Sequence, residues 1–168
     1  MKKDILILGV GNMLLGDEGV GVHVAQRLQQ MSLPPSVEVI DGGTIGYELL
    51  SYLYGKRKVI IVDAFNADAK PGSVIRLTPD EIDMEKPRSL FVHQDGLHEL
   101  LYFARQLEPL PEILLFGIVP KSIRRMTTRL SSEVEERLPA IVSSLLDEVG
   151  GLHLETSRGG VYVTESSV

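Results

Sequence analysis

The chain has 168 residues, 43% of them apolar, a formal net charge of −6 and no cysteine. That length lets one domain bury a core of its own, and the acidic balance argues against nucleic acid or an anionic membrane as partner. The missing cysteine removes disulfides, thiolate catalysis and thiolate metal sites together.

Met1-Lys2-Lys3 stands before an apolar run, but Asp4 and the glycines that follow interrupt it short of a signal peptide, and no stretch approaches the roughly 20 apolar residues of a membrane span. A cytoplasmic monomer is the expectation. Ile5-Leu6-Ile7-Leu8 is apolar without alternation, as in a parallel strand covered on both faces. Val20, Val24, Leu28 and Met31 then recur at helical spacing. Pro34-Pro35 separates that helix from a strand, Val37 to Ile40, ending at Asp41. Gly42-Gly43-Thr44 turns the chain into a helix expected over 45–54, and the apolar run Lys58 to Val62 is a third strand ending at Asp63.

Pro71-Gly72 is a turn, Ser73 to Leu77 reads as an antiparallel edge strand, and Thr78 to Arg88 reads as a surface connection. His93-Gln94 leads into a helix whose inward face is Leu97, Leu100, Leu101 and Ala104, and Glu112 to Val119 is the last core strand. Ser132 with Glu135 fits a capping box for a final helix with the stripe Val134, Leu138, Ile141, Val142 and Leu145, which Pro139 should kink. Strands and helices alternate, so the expected fold is three-layer α/β, with a mainly parallel twisted sheet of about five strands flanked by helices. Residues 1–155 form a single domain in this reading, and 156–168 a loose tail.

The centre of the chain's organisation is Gly9-Val10-Gly11-Asn12-Met13-Leu14-Leu15-Gly16-Asp17-Glu18-Gly19. A buried strand feeding a glycine-rich turn and a helix suggests a dinucleotide site, with Gly9 and Gly11 at the phosphates and Asp41 at the ribose. Leu14 stands where the third fingerprint glycine belongs, and Asp17 and Glu18 would repel a pyrophosphate. A cation suits such carboxylates better. Glu18, Asp41, Asp63 and His93 all fall at the carboxyl ends of predicted strands, where open sheets bind ligands. Two carboxylates and an imidazole make an O,O,N set suited to nickel, zinc or manganese. His23, His98 and His153 read as structural, and Lys121, Arg124, Arg125 and Arg129 form a basic cluster after the last strand.

Five ordered motifs resemble one family. Gly9-Val10-Gly11-Asn12 with Asp17-Glu18-Gly19-Val20-Gly21, then Asp41-Gly42-Gly43-Thr44 with Gly46, Val62-Asp63-Ala64, His93-Gln94, and Gly117-Ile118-Val119-Pro120 followed by Leu130-Ser131 are similar to the motifs of the [NiFe]-hydrogenase maturation endopeptidases. The resemblance runs from about residue 5 to 148, departing at Ile123-Arg124-Arg125-Met126, where members often carry glycine. It implies removal of a C-terminal extension from the nickel-loaded hydrogenase large-subunit precursor, with nickel supplied by that precursor. It also implies metal contacts at Glu18, Asp63 and His93, substrate recognition by Asp41 with Gly42, Gly43 and Thr44, and catalytic roles for Asp41, Glu18 and Asp63. No HExxH helix or GxSxG elbow competes with this reading. The alternatives from other classes are a nucleotide-binding domain and a non-enzymatic nickel carrier.

Overall fold

A computed structural model describes residues 2–44, 46–82, 94–123 and 125–150. His93, Arg124, His153 and the tail therefore lie outside the described residues. Strand β1 (Ile5–Val10) is buried at every position, as its unbroken apolar run requires. A 3-10 turn, Gly16–Gly19, leads directly into α1 (Val20–Gln29). Then come β2 (Val37–Gly43), a 3-10 turn Tyr47–Leu49 continuing as the short α2 (Leu50–Leu53), and β3 (Lys58–Ala64). The chain finishes with β4 (Val74–Leu77), α3 (Gln94–Ala104), β5 (Glu112–Ile118) and α4 (Ser132–Glu148).

The strand order is β2-β1-β3-β5-β4. All pairings are parallel except β4 with β5, so the edge strand expected to be antiparallel is so. One core layer packs Val20, Val24 and Leu28 of α1 and the stripe of α4 against Ile5, Ile7, Ile60 and Val62. The other packs Leu97, Leu100, Leu101 and Ala104 of α3 with Leu49 and Leu53 against Leu6, Leu8, Val59 and Ile61. Each of these buried Val, Leu and Ile side chains contributes about 1.5–3 kcal/mol. This is the predicted three-layer arrangement. Among the described residues no helix is long and apolar enough to cross a membrane.

Three local readings change. The helix expected over 45–54 is only a 3-10 turn and α2, because Gly46 is extended at φ −160° and Tyr54 has already returned to extended backbone. The connection after β4 contains a 3-10 turn, Pro79–Glu81, closed by a capping box between Thr78 and Glu81, and it buries Ile82 against the second layer. The cap of α4 is Ser131, one residue earlier than the pair Ser132 and Glu135: its hydroxyl accepts from the Val134 N–H at 3.4 Å. The helix runs on through Pro139 as a single element.

Candidate functional site

The chain passes from β1 to β2 on one side and to β3 on the other, so the strand order reverses between β1 and β3. At such a switch point the two outgoing connections diverge and leave a crevice. Glu18 follows β1 and Asp63 lies near the end of β3, so these two carboxylates flank it. Asp41, at the end of β2, lies two strand spacings from β3, about 10 Å.

The glycines around Glu18 are required by the protein's own backbone. A Cβ on Gly21 would lie 2.1 Å from the Val62 carbonyl oxygen and 2.3 Å from that of Val10, and one on Gly9 would lie 2.1 Å from the Gly21 oxygen. The start of α1 is thus pressed onto β1 and β3 with no room for a methyl group. Gly11, at φ +146°, faces the Glu18 carbonyl oxygen, which a Cβ would meet at 2.2 Å. Its N–H donates to the Gly43 carbonyl at 2.8 Å, fastening the first motif to the second. Asn12 closes the loop by accepting the Leu14 N–H on its side-chain oxygen at 2.9 Å.

Asp17 and Glu18 are neighbours in a tight 3-10 turn, whose side chains diverge by about 120°. Asp17 is 1% exposed and has one task. Its carboxylate accepts the Ser131 N–H at 2.7 Å, the Ser131 hydroxyl at 2.7 Å, the Lys121 N–H at 2.9 Å and the Ser122 N–H at 3.4 Å. It therefore ties both ends of the β5–α4 connection to the loop that carries Glu18. The expectation that the adjacent carboxylates together suit a cation is corrected here: the lone pairs of Asp17 are taken by N–H and O–H donors.

Asp63 is fully buried, and its Oδ1 accepts the Ala64 N–H at 2.7 Å. Val59 and Ile61 belong to the layer under α3, Ile60 and Val62 to the layer under α1 and α4, so alternation places Asp63 on the α3 side. Its register neighbour on β5 is Gly117, and the Phe65 side chain fills the place a side chain there would take, 2.6 Å from where a Cβ would stand. Helix α3, whose first residue is Gln94, packs on that same face. Asp41 follows the opposite parity. It is exposed, and its Oδ2 accepts from the Gln26 side chain of α1 at 3.0 Å while Oδ1 accepts the Gly43 N–H at 3.0 Å. Asp41 and Asp63 thus share an edge of the sheet but belong to opposite faces. Among the described residues no three His, Asp or Glu side chains are grouped for a metal, and His93 lies outside them.

The hydrogenase maturation protease family model matches residues 22–148. The chain belongs to that family. The hydrogenase 2 maturation protease of Escherichia coli K12 is 35% identical over 147 residues, covering 84% of this chain and 90% of that one. The solved structure of the E. coli hydrogenase maturating endopeptidase HybD superposes with a TM-score of 0.73 at 34% identity, over 89% of this chain and 94% of that one. The HybD hydrogenase maturation protease of Thermococcus kodakarensis gives 0.69 at 28% identity, over 90% and 100%. The activity class is that of an endopeptidase.

For this maturation protease Gly9 and Gly11 are accounted for by its own backbone, since a Cβ on either would meet a main-chain oxygen at 2.1 or 2.2 Å. Sequence reading missed Asp17 as the anchor of the β5–α4 connection and Gln26 as the partner of Asp41. The dipeptide Asp17-Glu18 was the visible signal, but the donors to Asp17 come from more than 100 positions away in the chain. His23 and His98 are half-buried on their helices, in keeping with structural roles. Burial holds the His23 imidazole below its ordinary pKa, offset in part by its bond to the Thr128 backbone and by the charges of Glu135 and Asp17. In the basic cluster Lys121 pairs with Glu133, while Arg125 and Arg129 are exposed.

Proposed function

We propose that this protease removes the C-terminal extension of a nickel-loaded [NiFe]-hydrogenase large-subunit precursor, and that Glu18, Asp63 and His93 read the nickel the substrate brings. The observation that carries the reading is the pair of carboxylates flanking the switch point: Glu18 on a backbone that glycines lock in place, Asp63 buried at a strand end opposite Gly117. Two oxygens and one imidazole match a borderline divalent cation and leave positions for its existing ligands.

Burial beside a strand end gives Asp63 a fixed direction, because its Oδ1 is held by the Ala64 N–H. Cleavage adds water to the scissile carbonyl and breaks the C–N bond, with the proton from the water passing to the departing amine. Glu18 and Asp63 are the side chains that accept and return that proton. Asp41, with Gly42, Gly43 and Thr44, recognises substrate at the neighbouring strand end. Its carboxylate is exposed and oriented by Gln26 and the Gly43 N–H.

Incubation with nickel-loaded and metal-free precursor, followed by intact mass measurement, tests the reading. The loaded precursor should lose its extension and the metal-free one should not. A nickel carrier would leave both at full length, and equal shortening of both would show that the metal is not read. Without substrate the enzyme should bind nickel weakly, since a site of two carboxylates and one imidazole only partly meets nickel's preference for nitrogen. Nickel retained in stoichiometric amount through purification would contradict a substrate-borne metal.

A further inference from the structure

Beside the loop of Glu18 lies a cleft of about 380 Å³ between the 3-10 turn Gly16–Gly19 and the β5–α4 connection. Its walls include three cations, Lys121, Arg125 and Arg129, against two carboxylates, Asp17 and Glu133. The carboxylates are occupied. Asp17 accepts four hydrogen bonds from the connection, and Glu133 pairs with Lys121, which holds its carboxyl below the usual range. Among the described residues Arg125 and Arg129 have no acidic partner, so two guanidiniums stand at the cleft uncompensated, in a chain of net charge −6.

The rim carries a second feature. Leu15 and Thr127 form a parallel bridge in which the Gly16 N–H donates to the Thr127 carbonyl at 2.7 Å and the Thr127 N–H to the Leu14 carbonyl at 3.0 Å. That bridge puts Leu14 and Met126 at neighbouring positions of the register. They are 60% and 82% exposed, among the most exposed large apolar side chains described. Leu14 and Met126 thus put exposed apolar surface next to the two arginines.

Resting on the peptidase reading above, we propose that this cleft docks an acidic segment of the precursor, with Arg125 and Arg129 taking its carboxylates and Leu14 and Met126 packing on apolar residues beside them. Arginine suits this role because its planar fork pairs bidentately with carboxylate. The occupied Asp17 and Glu133 and the acidic chain disfavour a polyanion such as RNA. Because Asp17 ties the cleft to the turn that carries Glu18, a segment held here is fixed relative to the crevice.

The test is direct binding of fluorescently labelled nickel-loaded precursor to the full chain, with intact mass followed in the same samples. Arg125→Ser/Arg129→Ser should raise Kd about fivefold at low salt, a difference that closes near 1 M salt, where the Debye length is roughly 3 Å. Leu14→Ser/Met126→Ser should weaken binding by a factor that persists at high salt. Both variants alter exposed side chains, so unchanged melting temperatures should accompany these effects. A Kd for the arginine variant equal to wild type at low salt would overturn the proposal, as would a short RNA binding as tightly as the precursor. Wild-type binding with these dependences but without shortening would support the docking surface and count against the peptidase reading alone.

Discussion

The β1–α1 corner and the β5–α4 connection meet at the same edge of the sheet, yet they are held by different means. At the corner, backbone atoms stand where a Cβ on Gly9, Gly11 or Gly21 would have to be, so main-chain packing fixes the turn that carries Glu18. Among the described residues the connection is fastened chiefly by the Asp17 carboxylate and by the β-bridge between Leu15 and Thr127. Main-chain packing tolerates no adjustment, and so suits the part proposed to meet a metal centre. A loop fastened largely through one side chain can change its surface residues without disturbing the corner, and so suits the part proposed to meet the precursor.

The corner is most sensitive at Gly21. Gly21→Ala puts a methyl group within 2.1 Å of a strand carbonyl, and overpacking against backbone should cost about 3 kcal/mol or more, a fall in Tm of roughly 10 °C. Thermal melting checks it, and a loss of only a degree or two would mean the corner can relax. Asp17→Ala comes next: it strands the Lys121 and Ser131 N–H groups and should cost about 2 kcal/mol. Hydrogen exchange should quicken over 121–131 and stay slow in β1, whereas faster exchange in both would show the two regions to be one cooperative unit.

His23 lies between the two regions, because it stands on the helix of the corner and interacts with the Thr128 backbone of the connection. Its folded pKa lies below its unfolded one, so the unfolded chain binds more protons as pH falls. The contribution of neutral His23 is present above the unfolded pKa, about 6.5, and is lost as pH drops below it. Lowering pH from about 7.5 to about 5.5 should reduce Tm, and His23→Gln should flatten that slope. An equal slope in the variant would assign the effect to other groups. The smallest change in stability, within about 0.5 kcal/mol, belongs to Asp41→Asn, which alters an exposed side chain that can still accept hydrogen bonds. Processing by this variant should nevertheless stop; unimpaired shortening of loaded precursor would reduce Asp41 to a turn residue.

Much of this was legible in the chain itself. The unbroken apolar runs at Ile5 and Lys58 gave buried parallel strands, and the stripes of α1, α3 and α4 all face the core. The motif order pointed to the family. What single residues could not reveal was the strand order, and with it the facts that Glu18 and Asp63 flank the switch point while Asp41 stands one strand further out on the opposite face. Periodicity describes a segment and its own faces, whereas strand order is settled by which segments pair. The task of Asp17 was hidden for the same reason. Nothing within its own turn distinguishes it from Glu18, and only the folded connection supplies its four donors.

Glu18 and Asp63 are proposed to act together on the nickel-loaded precursor. Glu18→Gln and Asp63→Asn keep size and most hydrogen-bonding capacity while removing the charge a cation requires. Intact mass of loaded precursor after incubation with each variant, at matched melting temperature, is the most direct test. Both variants should leave the precursor at full length while the parent shortens it. Shortening at the parental rate by either variant would contradict that joint role.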